Sequence, residues 1–119
     1  KFMSILLTAE DIAGLIAAAT GWDFDEAEFR RCGELIYNLN RACCVREGIT
    51  SAQDQLPGRL MEEPLTTGPA AGMVIDRDTL AMMKDAYYRV RGWDPGSGIP
   101  TPEKLHELGL DFLQGDTRA

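Results

Sequence analysis

The sequence predicts an all-α protein, an irregular bundle of about four main helices with one long Pro/Gly-rich connection. Apolar residues recur at three- and four-residue spacing in three long segments, which is the period of an amphipathic helix. Capping residues and glycines stand at the ends of these segments. The short run Met73-Val74-Ile75 resembles a strand, but a single run cannot form a sheet.

The first helix is predicted to begin at a capping box, Thr8-Ala-Glu-Asp11, and to stop at Gly21. Its apolar stripe consists of Ile12, Leu15, Ile16 and Ala19. Glycine is unfavourable inside a helix, by about 1 kcal/mol relative to alanine. Gly14 here and Gly33 in the next helix are therefore either tolerated defects or the marks of a close backbone crossing.

The second helix is the longest periodic segment and is predicted to organise the rest of the chain. Asp25, followed three residues later by Glu28, caps its start, and Gly48 ends it. It has two usable faces, so the other segments are predicted to pack around it, with Arg41 on the polar side. The main apolar row contains Phe29, Cys32, Leu35, Ile36, Leu39 and Cys43, and the second row contains Gly33, Tyr37, Asn40 and Cys44.

Residues 49–76 lack sustained periodicity and are rich in proline and glycine, so they are predicted to be the long connection. One helical turn is expected to begin at Pro57. The predicted buried anchors of the connection are Leu60, Met61 and Leu65.

Asp76 is predicted to cap a third main helix that ends at Gly92, with Leu80, Met83, Tyr87 and Val90 as its core stripe. Residues 93–98 have the composition of a turn. Thr101 and Pro102 then open a last short helix, which Gly109 stops, and Leu110 and Phe112 are expected to pack back. Residues 1–114 are predicted to form a single helical domain, with a flexible tail at residues 115–119.

The charge balance argues against nucleic acid or an anionic membrane as a partner. The 119 residues carry a net charge of −7, with a pI near 4.6, whereas such surfaces need clustered Lys and Arg. No apolar run approaches the roughly 20 residues that a membrane-spanning helix needs. Three cysteines do not suggest a disulfide framework, so a reducing, cytoplasmic setting is the simplest interpretation.

The cysteines, the histidine and several arginines could belong to a catalytic site, but a structural role explains each of them more simply. No Cys-x-x-Cys pair is present, so this segment offers no zinc or iron–sulfur site of usual spacing. Cys43 and Cys44 are interpreted as small buried hydrophobes, and His106 as solvated. Arg46 and Arg59 are each predicted to pair with a carboxylate rather than a ligand. The aromatic group Tyr87, Tyr88 and Trp93 is interpreted as core packing, with a pocket lining as the alternative.

A series of short phrases, in this order and spacing, resembles the C-terminal helical domain of the aldehyde:ferredoxin oxidoreductase family, the tungstopterin enzymes. The resemblance extends from about residue 1 to residue 112. The phrases are Thr20-Gly-Trp-Asp23, Gly33-Glu-Leu-Ile-Tyr-Asn-Leu-Asn-Arg41, Val45-Arg-Glu-Gly48, Asp54-Gln-Leu-Pro-Gly-Arg59, Glu63-Pro-Leu65, Tyr87-Tyr88, Arg91-Gly-Trp-Asp94 and Pro100-Thr-Pro-Glu-Lys-Leu105.

The resemblance implies a scaffold domain of an enzyme that oxidises aldehydes to carboxylic acids and passes two electrons to ferredoxin. Such enzymes hold tungsten, or molybdenum in some relatives, between two pterins beside a [4Fe-4S] cluster. The cluster cysteines are expected in preceding domains of the same chain, the last of them just before Lys1. Lys1 and Phe2 are therefore expected near the cofactor, with no metal ligand, no catalytic residue and no cofactor in these 119 residues. A homodimer is a further expectation.

Two alternatives remain open. The first is a related subunit that reduces aromatic rings of acyl-CoA thioesters, in the same superfamily. The second is a free-standing helical interaction module without an enzymatic role. The residue that precedes Lys1 in the parent gene would discriminate, because a Gly-Leu-Cys ending is expected for the enzyme and an initiator methionine for the module.

Overall fold

The computed structural model of the chain describes residues 7–115, and these residues confirm the all-α prediction. The only β pairing among them is an isolated bridge between Trp93 and Pro100. None of their helices is long and apolar enough to cross a membrane. The helices are α1 (Ala9–Thr20), α2 (Glu26–Arg46), α3 (Gly58–Glu62), α4 (Arg77–Arg91) and α5 (Pro102–Glu107), followed by a 3₁₀ turn at Asp111–Leu113.

The predicted helix ends are confirmed where a capping side chain defines them. The Thr8 hydroxyl accepts from the Asp11 amide at 3.1 Å, and the Asp11 carboxylate accepts from the Thr8 amide at 2.8 Å. The Asp76 carboxylate accepts from the Thr79 amide at 2.7 Å to start α4. These bonds satisfy amides that the first turn of a helix leaves without a partner.

The chain divides into two compact units, residues 1–40 and 41–119, and α2 contributes to both. In the first unit Ala13 and Asn38 are buried, and Asn38 donates to the Glu34 carbonyl at 2.9 Å. The predicted apolar row of α2 is wrong at Ile36, which is exposed. A close crossing at Gly14 and Gly33 is also wrong, because a Cβ at either position would meet open space.

The second unit builds its core from the C-terminal part of α2, from α4 and from residues 93–113. Its buried apolar side chains are Ala42, Val45, Tyr88, Trp93, Leu105, Leu108, Leu110 and Leu113. Leu110 packs inward as predicted, whereas Phe112 is exposed and Leu113 takes the buried position instead.

The predicted core stripe of α4 is wrong, because it lies on the exposed side of the helix. Met83, Tyr87 and Val90 are exposed, and the buried residue is Tyr88. Helical spacing defines an apolar row but not which row meets the core.

The long connection is held by backbone hydrogen bonds rather than by buried side chains. Leu60 and Leu65, predicted as anchors, are exposed, and Met61 is half-buried. Met73 does not start a strand, because residues 65–73 close into a loop. In that loop the Gly72 amide donates to the Leu65 carbonyl at 2.7 Å.

The predicted domain limits, residues 1–114 with a flexible tail at 115–119, stay a prediction. Residues 116–119 of that tail lie outside the described residues. Lys1 and Phe2, the predicted near-cofactor residues, also lie outside the described residues.

Candidate functional site

A largely buried arginine is the centre of a polar cluster in the second unit. Arg41 lies on α2 with only 9% of its side chain exposed. Its Nη1 and Nη2 atoms donate to the two carboxylate oxygens of Asp54 at 3.1 and 2.6 Å. Its Nε donates to the Gly98 carbonyl at 2.8 Å. The planar guanidinium matches this paired carboxylate geometry, which a lysine would not reproduce.

Asp54 is placed by a short loop that is tied to two other elements. The Thr50 amide donates to the Gln53 side chain at 2.8 Å, which shapes the turn before Asp54. The Ser51 amide donates to the Ser97 carbonyl at 2.7 Å. Lys84 of α4 donates to the Ser51 carbonyl at 2.6 Å. The loop is therefore held between the 94–99 turn and α4.

The turn that presents the Gly98 carbonyl needs glycine at that position. Asp94 shapes it by accepting from the Ser97 amide at 2.8 Å, and the Gly98 amide donates to the Asp94 carbonyl at 2.7 Å. Gly98 has φ +69°, a left-handed conformation that favours glycine. A Cβ there would also lie 2.5 Å from Nη2 of Arg41 and 3.0 Å from the ring of Tyr88.

Two aromatic rings cover the guanidinium. The Tyr88 hydroxyl donates to Asp54, and the Arg41 Cζ lies 4.9 Å from the centroid of the Trp93 ring. Tyr88 and Trp93 are buried with their centroids 5.8 Å apart. Tyr87 meets Trp93 edge-on, also at 5.8 Å, but is partly exposed. The predicted aromatic group is thus present, with two of its three rings in the core.

The electrostatics of the cluster favour fixed charges over proton transfer. Burial alone would raise the pKa of Asp54, but hydrogen bonds from Arg41 and Tyr88 outweigh it, and the net pKa is lowered. Burial and the neighbouring Asp54 carboxylate raise the pKa of Tyr88 to about 12. Near neutral pH the carboxylate stays ionised and the phenol stays protonated. The arrangement can hold two loops against two helices. Neither Asp54 nor Tyr88 has a pKa suited to general acid or base catalysis near neutral pH.

The other residues considered in the sequence stand apart from this cluster. Arg46 pairs with Glu47 at 3.3 Å and Arg59 with Glu63 at 3.1 Å, which confirms that each pairs with a carboxylate, although both pairs are exposed. His106 is exposed, 2.9 Å from Asp111.

The three cysteines carry free thiols and are half-buried. Residues 7–115 contain no group of three or more His, Cys, Asp or Glu side chains placed to hold a metal ion.

Arg41 is the residue that the sequence interpretation placed wrongly. Arg41 lies at helical spacing from Asn38 and Val45, both of which are buried, but the burial of that side of α2 is visible only in the structure. Its carboxylate partner is 13 residues away and its carbonyl partner 57 residues away, so neither follows from periodicity.

Comparison with known proteins identifies relatives over nearly the whole chain. A family model described as "Aldehyde ferredoxin oxidoreductase, domains 2 & 3" matches residues 1–110. The tungsten-containing aldehyde ferredoxin oxidoreductase of Pyrococcus abyssi is 40% identical over 111 residues, 92% of this chain. The enzyme of the same name from Thermococcus kodakarensis is 39% identical over 114 residues, 94% of the chain.

A solved structure shares the fold. It is the active site complex BamBC of benzoyl coenzyme A reductase in complex with 1,5-dienoyl-CoA, with a TM-score of 0.71 and 25% identity over 92% of this chain. The match covers 15% of that chain, and the present chain spans 18% of the length of the two curated relatives.

Proposed function

The chain belongs to the aldehyde ferredoxin oxidoreductase family, and from that premise we propose that it serves as the C-terminal helical scaffold of an aldehyde-oxidising enzyme. The observation that carries the proposal is the family match over residues 1–110. Relatives at 39–40% identity bear the name of that activity. The overall reaction converts an aldehyde and water to a carboxylate, with two electrons passed to ferredoxin and protons released to solvent.

A tungsten or molybdenum pterin and a [4Fe-4S] cluster would supply the redox chemistry of the intact enzyme. Residues 7–115 do not fit these groups as ligands. Clusters of this type are held by several thiolates, whereas Cys43 and Cys44 are adjacent on one helix, and no metal-binding group of side chains within the described residues includes them. We therefore assign the ligands to other parts of the full-length polypeptide.

This chain is expected to contribute a rigid support to the intact enzyme. The Arg41 cluster joins α2, α4, the Asp54 loop and the 94–99 turn through hydrogen bonds with little freedom of rotation. Sites of redox chemistry depend on neighbouring layers that hold ligands in place and exclude water. A locked helical unit suits that supporting role, and we expect it to be inactive on its own.

The partners that follow from this role are other parts of the same polypeptide and, as the electron acceptor, ferredoxin. A cytoplasmic location and a homodimer remain proposals, and so does the position of Lys1 and Phe2 near the cofactor. The likeness to the benzoyl coenzyme A reductase complex favours one second candidate, a subunit that acts on an aromatic acyl-CoA.

The deciding experiment uses the full-length protein purified without oxygen. We expect tungsten or molybdenum together with iron, and aldehyde-dependent reduction of ferredoxin. Reduction of an aromatic acyl-CoA without aldehyde oxidation would favour the second candidate. Absence of all three metals from folded full-length protein would contradict both and support an interaction module. The 119-residue chain, prepared in the same way, is expected to bind none of them.

A further inference from the structure

Helix α4 is apolar on the side that faces away from its core. Tyr88 marks the buried side, with 2% of its surface exposed. At about 100° per residue, the opposite side carries four apolar residues, which we call the outer face of α4. The outer face consists of Met82, Met83, Ala86 and Val90. All four are exposed, Val90 to 86% and Met82 to 67%.

No charged side chain of α4 lies on its outer face. The outer face spans an arc of about 100° around the helix axis, and the only other residue within that arc is the uncharged Thr79. A helix at a protein surface usually places its charged residues there and its apolar stripe, of similar width, toward the core. The apolar stripe of α4 is instead exposed in this chain, as expected of a helix that another layer of protein covers.

We propose that the outer face of α4 packs against another part of the same full-length polypeptide. The relatives are more than five times as long as this chain, since it spans 18% of their length, and the family model covers only domains 2 and 3. A layer that covers α4 is therefore available within one polypeptide. This proposal depends on family membership and not on the aldehyde activity proposed above.

The size of the outer face favours a linked segment over a second copy. A helix of 15 residues is about 22 Å long and about 10 Å wide, a footprint on the order of 200 Å². A stable interface between separate proteins buries about 800 Å² on each partner. A segment of the same polypeptide does not pay the entropic cost of association, so a smaller contact suffices.

A photo-crosslinker at Val90 tests the proposal in the full-length protein. The variant carries p-benzoylphenylalanine at position 90, and a second variant carries it at Met82. After irradiation, peptide mass spectrometry is expected to show crosslinks within one polypeptide, to a segment outside these 119 residues. The matched control places the crosslinker at Glu107, an exposed charged residue of α5, where no such crosslink is expected.

Three results would overturn the proposal: no crosslink from either position, crosslinks to a second copy, or crosslinks only within the 119 residues. Thiol labelling gives a second measurement with a smaller perturbation. Val90→Cys in the native full-length protein is expected to react with a maleimide at least about tenfold more slowly than in urea. Glu107→Cys should react at similar rates in both conditions. Equal native and urea rates at position 90 would count against the covered face.

Discussion

Asp54→Ala is expected to lower the free energy of unfolding by about 3 kcal/mol. The substitution removes the carboxylate that compensates the guanidinium of Arg41, which is 9% exposed and keeps its hydrogen bond to the Gly98 carbonyl. Removing one partner of a buried ion pair typically costs about 3–5 kcal/mol, because the remaining charge is uncompensated. Asp54 is 31% exposed, so water can enter the space it vacates. This places the expected cost at the lower end of the range.

The reciprocal substitution, Arg41→Met, is expected to cost less, about 2 kcal/mol. The remaining carboxylate of Asp54 keeps the Tyr88 hydroxyl as a donor and keeps its contact with water. The double variant leaves no unpaired charge, so we expect it to cost about 3 kcal/mol rather than the sum of the two single costs. The difference between the summed single costs and the cost of the double variant measures the coupling free energy between Arg41 and Asp54.

Urea unfolding followed by far-ultraviolet circular dichroism measures these differences. Asp85→Ala is the matched control, because Asp85 also accepts two hydrogen bonds from one arginine, at 2.8 and 3.1 Å, but in an exposed pair. Such surface pairs contribute about 0–1 kcal/mol. The reasoning is refuted if Asp54→Ala costs no more than Asp85→Ala, or if the two costs in the cluster simply add.

Two further predictions concern the same cluster. The pKa of Asp54 in the folded protein is lowered from its usual value of 3.8 despite burial. The difference in unfolding free energy between the wild type and Asp54→Ala should therefore be constant above pH 3.8. It should shrink as the pH falls below that value, because the folded protein then loses the ionised carboxylate. Urea titrations at several pH values check this, and a difference that already falls near neutrality would contradict it. Gly98→Ala should cost about 3 kcal/mol, from the left-handed backbone and the contact with Arg41. Gly109→Ala, with φ +71° and open space around it, should cost only about 1 kcal/mol, so equal unfolding midpoints for the two variants would show that the close contact is unimportant.

Local sequence alone determined the helix ends. Thr8, Asp76 and Thr101 each cap a helix, and their side chains accept from an amide three residues later, so the signal lies within four consecutive residues. Gly21 and Gly92 end helices in the left-handed conformation for the same local reason. The all-α class follows from the three- and four-residue spacing of apolar residues, and the family resemblance from short phrases taken in order.

Which residues meet depends on the tertiary fold. The grouping of Tyr87, Tyr88 and Trp93 was predictable from their spacing, but the burial of Tyr88 rather than Tyr87 was not. Periodicity marks every apolar row of a helix alike, and burial depends on which chain segment covers each row. Arg41 has the local pattern of a solvated residue, yet it is buried because Asp54 and Gly98, distant in sequence, converge on it.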